Sequence, residues 1–139
     1  MKFDGPSREH DTVLIIDFGG QYAHLIARRI RELGAYSEIV YPHMVSEDIF
    51  KSISPKAIIF SGSPASLLEK EPPLPPSWIL DLGIPILGIC YGHQLIAKML
   101  GGSVARGFGE YGRTYIKITK RDPIFEGLSD REEVWMSHS

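Results

Sequence analysis

Short apolar runs alternate along this chain with segments whose apolar residues recur at helical spacing. The runs are rich in β-branched residues, which predicts strands; they are TVLIID (12–17), AYSEIVY (35–41), KAIIFSG (56–62) and IPILGI (84–89). The segments with helical spacing are YAHLIARRIRELG (22–34), SEDIFKSI (46–53), WILDLG (78–83) and GHQLIAKMLGG (92–102). We expect Ser46 and Ser77 to cap two of these helices and Gly34 to end the first.

Strand–helix–strand alternation at this pitch predicts an α/β fold with a mostly parallel, open sheet and helices on both faces. Ligands bind beyond the carboxyl ends of the strands in such sheets. The candidate loops there are FGGQ (18–21), SGSPAS (61–66) and CYGH (90–93). After residue 102 the pattern changes to shorter predicted strands: SVARGF (103–108), RTYIKIT (113–119) and EEVWMS (132–137). The proline-rich segment EKEPPLPPSW (69–78) is more typical of a stiff connector than of an SH3 ligand.

Length and composition indicate one soluble domain without a nucleic-acid or membrane surface. The 139 residues carry a formal net charge of −2, and 43% of them are hydrophobic. The one cysteine suits a reducing cytoplasm, and no Cys/His cluster has metal-ligand spacing. Residues 1–11 are polar and lack a signal-peptide core, so we expect a flexible tail followed by one domain over 12–139.

Cys90 lies between the fourth predicted strand and a helix, in the sequence Gly88-Ile89-Cys90-Tyr91-Gly92. A free cysteine is often a buried, unreactive packing residue. The G-x-C-x-G spacing, however, matches the nucleophile-elbow pattern G-x-S-x-G, in which a sharp turn exposes the nucleophile. Glycines permit close backbone approach in such a turn, and the helix N-terminus favours the thiolate. The N–H of Tyr91 is a candidate donor to an oxyanion. We therefore predict that Cys90 is a nucleophile.

GICYGHQ (88–94) resembles the nucleophile motif of the class I, triad-type glutamine amidotransferases. Three further segments resemble the amidotransferase domain of the GMP synthase family: VLIIDFGGQYAHLIARRIRELG (13–34), IIFSGSPAS (58–66) and EVWMSHS (133–139). The resemblance implies a flavodoxin-like open sheet, of which the C-terminal part is missing here. It also implies cytoplasmic glutamine hydrolysis that supplies ammonia for the ATP-dependent amination of XMP to GMP.

The resemblance implies roles for individual residues. Cys90 would attack the glutamine side chain, and the backbone N–H groups of Tyr91 and Ser63 would form the oxyanion hole. The implied glutamine-binding residues are Gln94, Ser137, His138 and Ser139. Ser63 and Ser139 stand where the family commonly has glycine. His93, three residues after Cys90, does not match the family's base.

In the family, the base is a histidine followed two residues later by a glutamate, and we expect both to lie beyond residue 139. The chain alone would then be nearly inactive. The resemblance implies no cofactor in this domain, whereas ATP and Mg²⁺ would bind an ATP-pyrophosphatase (synthetase) partner domain. The complete enzyme would be a homodimer.

Two other functions remain open from the sequence. One is the glutaminase of an anthranilate or carbamoyl-phosphate synthase, against which DFGGQY (17–22) argues. The other is a non-catalytic amidotransferase-like module that docks on a synthetase and regulates it.

Overall fold

A computed structural model describes residues 11–138 of the chain. The predicted tail, apart from Asp11, and Ser139 lie outside the described residues. The chain forms two compact units, Met1–Val104 and Ala105–Ser139, which are described in turn.

The first unit is built on a four-stranded parallel sheet, as predicted. Its strands, in the order β2-β1-β3-β4, are β1 (Thr12–Ile16), β2 (Tyr36–Val40), β3 (Ala57–Phe60) and β4 (Ile86–Gly88). Its α-helices are α1 (Ala23–Glu32), α2 (Glu47–Ile53) and α3 (Tyr91–Met99). Since all four strands run the same way, the loops that follow β1, β3 and β4 lie together at the carboxyl ends of the strands.

Both faces of the sheet are covered at β1, where successive residues point to opposite sides. In β1, Leu14, Ile15 and Ile16 are all fully buried. Ile15 belongs to a cluster with Ala23 and Ala27 of α1. Its neighbours Leu14 and Ile16 instead belong to a cluster with residues of α2 and α3. The predicted arrangement of helices on both faces is therefore confirmed.

The predicted helix ends are confirmed in two of three cases. Ser46 Oγ accepts a 3.2 Å hydrogen bond from the Ile49 N–H and so caps α2. Gly34, which follows α1, has φ +96°, a conformation that favours glycine. The predicted Ser77 cap is wrong: Ser77 is the first residue of a 3-10 helix, Ser77–Asp81, and Pro76 occupies the cap position. The extended backbone of Pro76 sets this boundary.

The second unit contains an antiparallel pair, β5 (Glu110–Lys117) and β6 (Arg131–His138). A 3-10 helix, Pro123–Phe125, lies in the connection between them. The strand predicted over residues 103–108 is wrong, since residues 102–109 form neither helix nor strand. Phe108, at the end of that segment, is 96% exposed and therefore packs against little. Over the described residues, no helix has the length and apolarity required to cross a bilayer.

Candidate active site

Cys90 occupies a sharp turn between β4 and α3. Its φ and ψ of 54° and −113° are unusual for a residue with a side chain, and it immediately precedes the first residue of α3. The thiol is exposed. The alternative of a buried packing cysteine is therefore wrong. A strained, exposed residue at a strand-to-helix turn has the backbone arrangement of a nucleophile elbow.

The two glycines of the motif provide the space that this turn needs. A β-carbon on Gly92 would lie 2.3 Å from the Phe60 carbonyl oxygen and 2.6 Å from the Phe60 β-carbon. One on Gly88 would lie 2.7 Å from the carbonyl carbon and oxygen of Gly92. Neither glycine has a positive φ. The turn therefore requires these glycines for close approach to β3 and within the turn itself.

The three loops predicted to carry the site meet beside Cys90. A β-carbon on Gly62, in the loop after β3, would lie 3.6 Å from the Cys90 β-carbon. A β-carbon on Gly20, in the loop after β1, would lie 2.5 Å from the Gly62 carbonyl oxygen. The loop after β3 is thus packed between the other two.

Two backbone N–H groups at these loops are the candidate oxyanion donors. Within the described part of the chain, neither the Tyr91 N–H nor the Ser63 N–H donates a hydrogen bond. The next amide in α3, the Gly92 N–H, is already used, since it donates to the Ile89 carbonyl at 2.9 Å. Ser63 does not have a positive φ, so the turn accommodates a serine where the family commonly has glycine. Its Oγ accepts a 3.0 Å hydrogen bond from the Ala65 N–H.

Sequence reasoning overlooked Ser61, a buried hydroxyl that joins two of the loops. Ser61 is 1% exposed. Its Oγ accepts a 3.0 Å hydrogen bond from the Phe18 N–H and donates a 3.0 Å hydrogen bond to the Gly62 carbonyl. The available signal was a serine placed directly after the buried strand AIIF and before a glycine, where a polar side chain needs a partner.

The Tyr91 side chain is the second feature that sequence reasoning overlooked. Tyr91 is 3% exposed, and the centroid of its ring lies 5.4 Å from that of Phe18, which also contacts Phe60. Its hydroxyl donates to the Pro73 carbonyl in the proline-rich segment. Burial, with a smaller contribution from the Glu69 carboxylate, raises the pKa of Tyr91 to about 12. Tyr91 thus remains neutral and anchors the segment beside the elbow.

Gln94 lies near the start of α3 with its side chain exposed, and its N–H donates to the Cys90 carbonyl at 3.1 Å. The His93 side chain is also exposed. Among the described histidine side chains, none of His24, His43 and His93 is hydrogen-bonded to Cys90. Those residues also bring together no group of three or more metal-ligating side chains.

The remaining predicted binding residues belong to the second unit. Ser137 is exposed in β6, where it pairs with Tyr111, and the backbone of His138 pairs with Glu110. Ser139 lies outside the described residues. The predicted grouping of these three residues with Cys90 therefore stays a prediction.

Comparison with known proteins identifies the family of this chain. A model of the glutamine amidotransferase class-I family matches residues 14–139. A GMP synthase (glutamine-hydrolysing) of Pyrobaculum aerophilum is 54% identical over 131 residues, which cover 93% of this chain and 25% of that protein. The GMP synthase of Aquifex aeolicus is 53% identical over 128 residues, which cover 91% of this chain and 25% of the Aquifex protein. The chain thus spans about a quarter of the length of these relatives.

Solved structures share the fold. A proposed GMP synthase subunit from Thermoplasma acidophilum superposes with a TM-score of 0.73 at 29% identity, over 93% of this chain and 65% of that one. A glutamine amidotransferase of Thermotoga maritima superposes with a TM-score of 0.68 at 25% identity. The match covers 93% of this chain and 60% of the Thermotoga chain.

Proposed function

Because this chain belongs to the class-I glutamine amidotransferase family, we propose that it is the glutaminase part of a GMP synthase. It would release ammonia from glutamine for the ATP-dependent amination of XMP to GMP. The observation that carries the proposal is the strained, exposed Cys90 at the elbow between β4 and α3. The identity of more than half to GMP synthases of two organisms supports the choice of synthase.

The proposed chemistry is acyl transfer through Cys90. The Cys90 thiolate attacks the side-chain carbonyl carbon of glutamine, and the new carbon–sulfur bond leaves the negative charge on the carbonyl oxygen. The free N–H groups of Tyr91 and Ser63 stabilise that oxyanion. Its collapse breaks the carbon–nitrogen bond, and ammonia leaves after taking up a proton. Water then hydrolyses the γ-glutamyl thioester to glutamate and frees the thiol.

Other groups complete the proposed reaction. Gln94, Ser137, His138 and Ser139 would hold the amino-acid end of glutamine. The base would be a histidine with an orienting glutamate, both contributed from outside residues 11–138, so that this chain alone would hydrolyse glutamine slowly. ATP and Mg²⁺ would bind a synthetase domain, and the complete enzyme would act as a cytoplasmic homodimer.

The test of the site uses the p-nitrophenyl γ-ester of glutamate, since its leaving group departs without a proton from the protein. We expect one γ-glutamyl group per chain, located on Cys90 by peptide mass and formed more slowly when glutamine competes. Asparagine, one methylene shorter, should compete poorly. The proposal fails if Cys90→Ser is acylated equally, or if the native chain reacts no faster than the denatured chain.

A second experiment tests which synthase the chain serves, by mixing it with synthetase domains added as separate polypeptides. With the synthetase domain of a GMP synthase, XMP, ATP and Mg²⁺, glutamine should support more GMP formation than either polypeptide gives alone. Cys90→Ser should abolish that gain, while free ammonia should still be used. Stimulation of an anthranilate or carbamoyl-phosphate synthase partner instead would favour the sibling function. An effect on the partner that survives Cys90→Ser would favour a regulatory module.

A further inference from the structure

We infer that Ser61 is a positioning residue for the oxyanion hole: its buried hydroxyl fixes the peptide between Gly62 and Ser63 and thereby aims the Ser63 N–H. This inference rests on the proposed function. It assigns a role to a residue outside the nucleophile, the two oxyanion donors and the substrate-holding residues.

The orientation of this peptide follows from its neighbours on the side of β1. A β-carbon on Gly20 would lie 2.5 Å from the Gly62 carbonyl oxygen, 2.8 Å from the carbonyl carbon and 3.4 Å from the Ser63 nitrogen. The carbonyl oxygen is thus the peptide atom nearest to the β1 loop. In a trans peptide the N–H points opposite to the C=O. The Ser63 N–H is therefore directed away from the β1 loop.

The strand order places Cys90 on the side of the β3 loop that faces away from the β1 loop. Since β3 lies between β1 and β4, the loop after β3 separates the β1 loop from Cys90. Gly62 lies beside Cys90, since a β-carbon on Gly62 would lie 3.6 Å from the Cys90 β-carbon. The same orientation that turns the Gly62 carbonyl toward β1 thus leaves the Ser63 N–H free on the side where an oxyanion formed at Cys90 would lie.

Ser61 holds this orientation through two hydrogen bonds. Its Oγ accepts from the Phe18 N–H, which anchors the hydroxyl to the β1 loop, and donates to the Gly62 carbonyl. The hydroxyl is buried, so water cannot readily replace either bond. Removing it would free the peptide to rotate and leave the Phe18 N–H without its acceptor. Catalysis by an oxyanion donor depends on such preorganisation.

The test compares two reactions of Cys90 that differ in their need for an oxyanion hole. Acylation by the p-nitrophenyl γ-ester of glutamate passes through an oxyanion, whereas alkylation by iodoacetamide is a direct displacement at carbon. We expect Ser61→Ala to slow acylation by about ten-fold or more, approaching the roughly 10²–10³-fold loss seen when a donor is removed. Alkylation should stay at the parent rate. Ser61→Thr, which retains a hydroxyl, should recover part of the acylation rate.

Ser37→Ala is the matched control. Ser37 is also a buried serine whose Oγ donates to a backbone carbonyl, that of Ala27 at 3.0 Å, but it lies in β2 away from the loops. Its replacement should change neither rate. Gly20→Ala is a second variant, because its methyl, in the β1 loop, would press on the same Gly62 carbonyl. It should also slow acylation selectively if the orientation of this peptide matters. If Ser61→Ala does not fold, Ser61→Cys decides the matter, since its thiol fills similar space but is a weak donor and acceptor.

Each outcome has a distinct meaning. Selective loss of acylation in Ser61→Ala or, where that variant does not fold, in Ser61→Cys supports the positioning role. Unchanged acylation in the folded variant overturns it, as does an equal loss of acylation and alkylation, which would indicate general disruption. If the parent chain itself is not acylated selectively, the proposed function fails first.

Discussion

The hydroxyl of Tyr91, the residue directly after Cys90, donates to the backbone carbonyl of Pro73 in the proline-rich segment. The contact joins positions that are 18 residues apart in the sequence. It links the first residue of α3 to the connector between β3 and β4. The elbow is therefore held from two sides: by the close packing of Gly92 on β3 and by this segment.

Replacing Tyr91 by phenylalanine should loosen the segment without emptying the core. The ring remains to pack on Phe18, but the hydrogen bond to Pro73 is lost, which costs about 1 kcal/mol of unfolding free energy. Urea unfolding at neutral pH measures this loss, and limited proteolysis should show faster cleavage within 64–76. Tyr22→Phe is the control, since Tyr22 is 61% exposed and should behave as the parent. Equal proteolysis of the Tyr91→Phe variant and the parent would contradict the anchoring role.

The raised pKa of Tyr91 predicts a loss of stability in alkaline solution. Its pKa is about 12 in the folded chain against 10.0 for a free tyrosine side chain. Between these values the unfolded state loses the phenolic proton and the folded state keeps it, so the free energy of unfolding falls as pH rises from about 10 to about 12. The contribution is fully present below pH 10. Urea midpoints across this window should fall more steeply for the parent than for Tyr91→Phe, and parallel curves would refute the prediction.

Gly92→Ala should destabilise the first unit strongly, since its methyl would lie 2.3 Å from the Phe60 carbonyl oxygen. Backbone of a central strand cannot move aside cheaply, so we expect a loss of roughly 1–3 kcal/mol or more. Gly107→Ala is the matched control, because nothing lies within 4 Å of its β-carbon position and its φ is not positive. Thermal unfolding of the two variants checks the prediction. A Gly92→Ala midpoint equal to that of Gly107→Ala would show that the elbow is looser than described.

The strain at Cys90 predicts an order of stability for two inactive variants. Glycine adopts a φ of 54° more readily than alanine, which keeps the steric cost of a β-carbon. Strained backbone of this kind costs of order 1–3 kcal/mol. Cys90→Gly should therefore unfold at a higher temperature than Cys90→Ala, despite the usual entropic disadvantage of glycine. The reverse order would mean that the turn is not strained by its side chain.

The features that sequence predicted well are those set by local pattern. Largely buried strands such as that in TVLIID show as apolar runs. The G-x-C-x-G spacing predicted the elbow because that turn needs glycine two residues before and two residues after Cys90. The strand predicted at SVARGF failed because an extended apolar segment becomes a strand only if a partner pairs with it. The Ser77 cap failed because Pro76 had already fixed the helix boundary.

Contacts between residues that are distant in the sequence could not be predicted from it. Nothing in the spacing of Phe18 and Ser61, 43 residues apart, indicates that a hydroxyl joins them, nor that Gly20 would lie against the Gly62 carbonyl. Such contacts depend on the order in which strands assemble in the sheet. They are also the contacts from which we infer the orientation of the Ser63 N–H.

The measurement that tests the central claim most directly is labelling of Cys90 by a chloroketone that mimics glutamine, followed by intact mass at neutral pH. The account predicts one adduct per chain, formed faster than in the denatured chain and slowed by glutamine but not by asparagine. A rate equal to that of the denatured chain, or one that glutamine does not change, would contradict the claim that Cys90 is the nucleophile of a glutamine site.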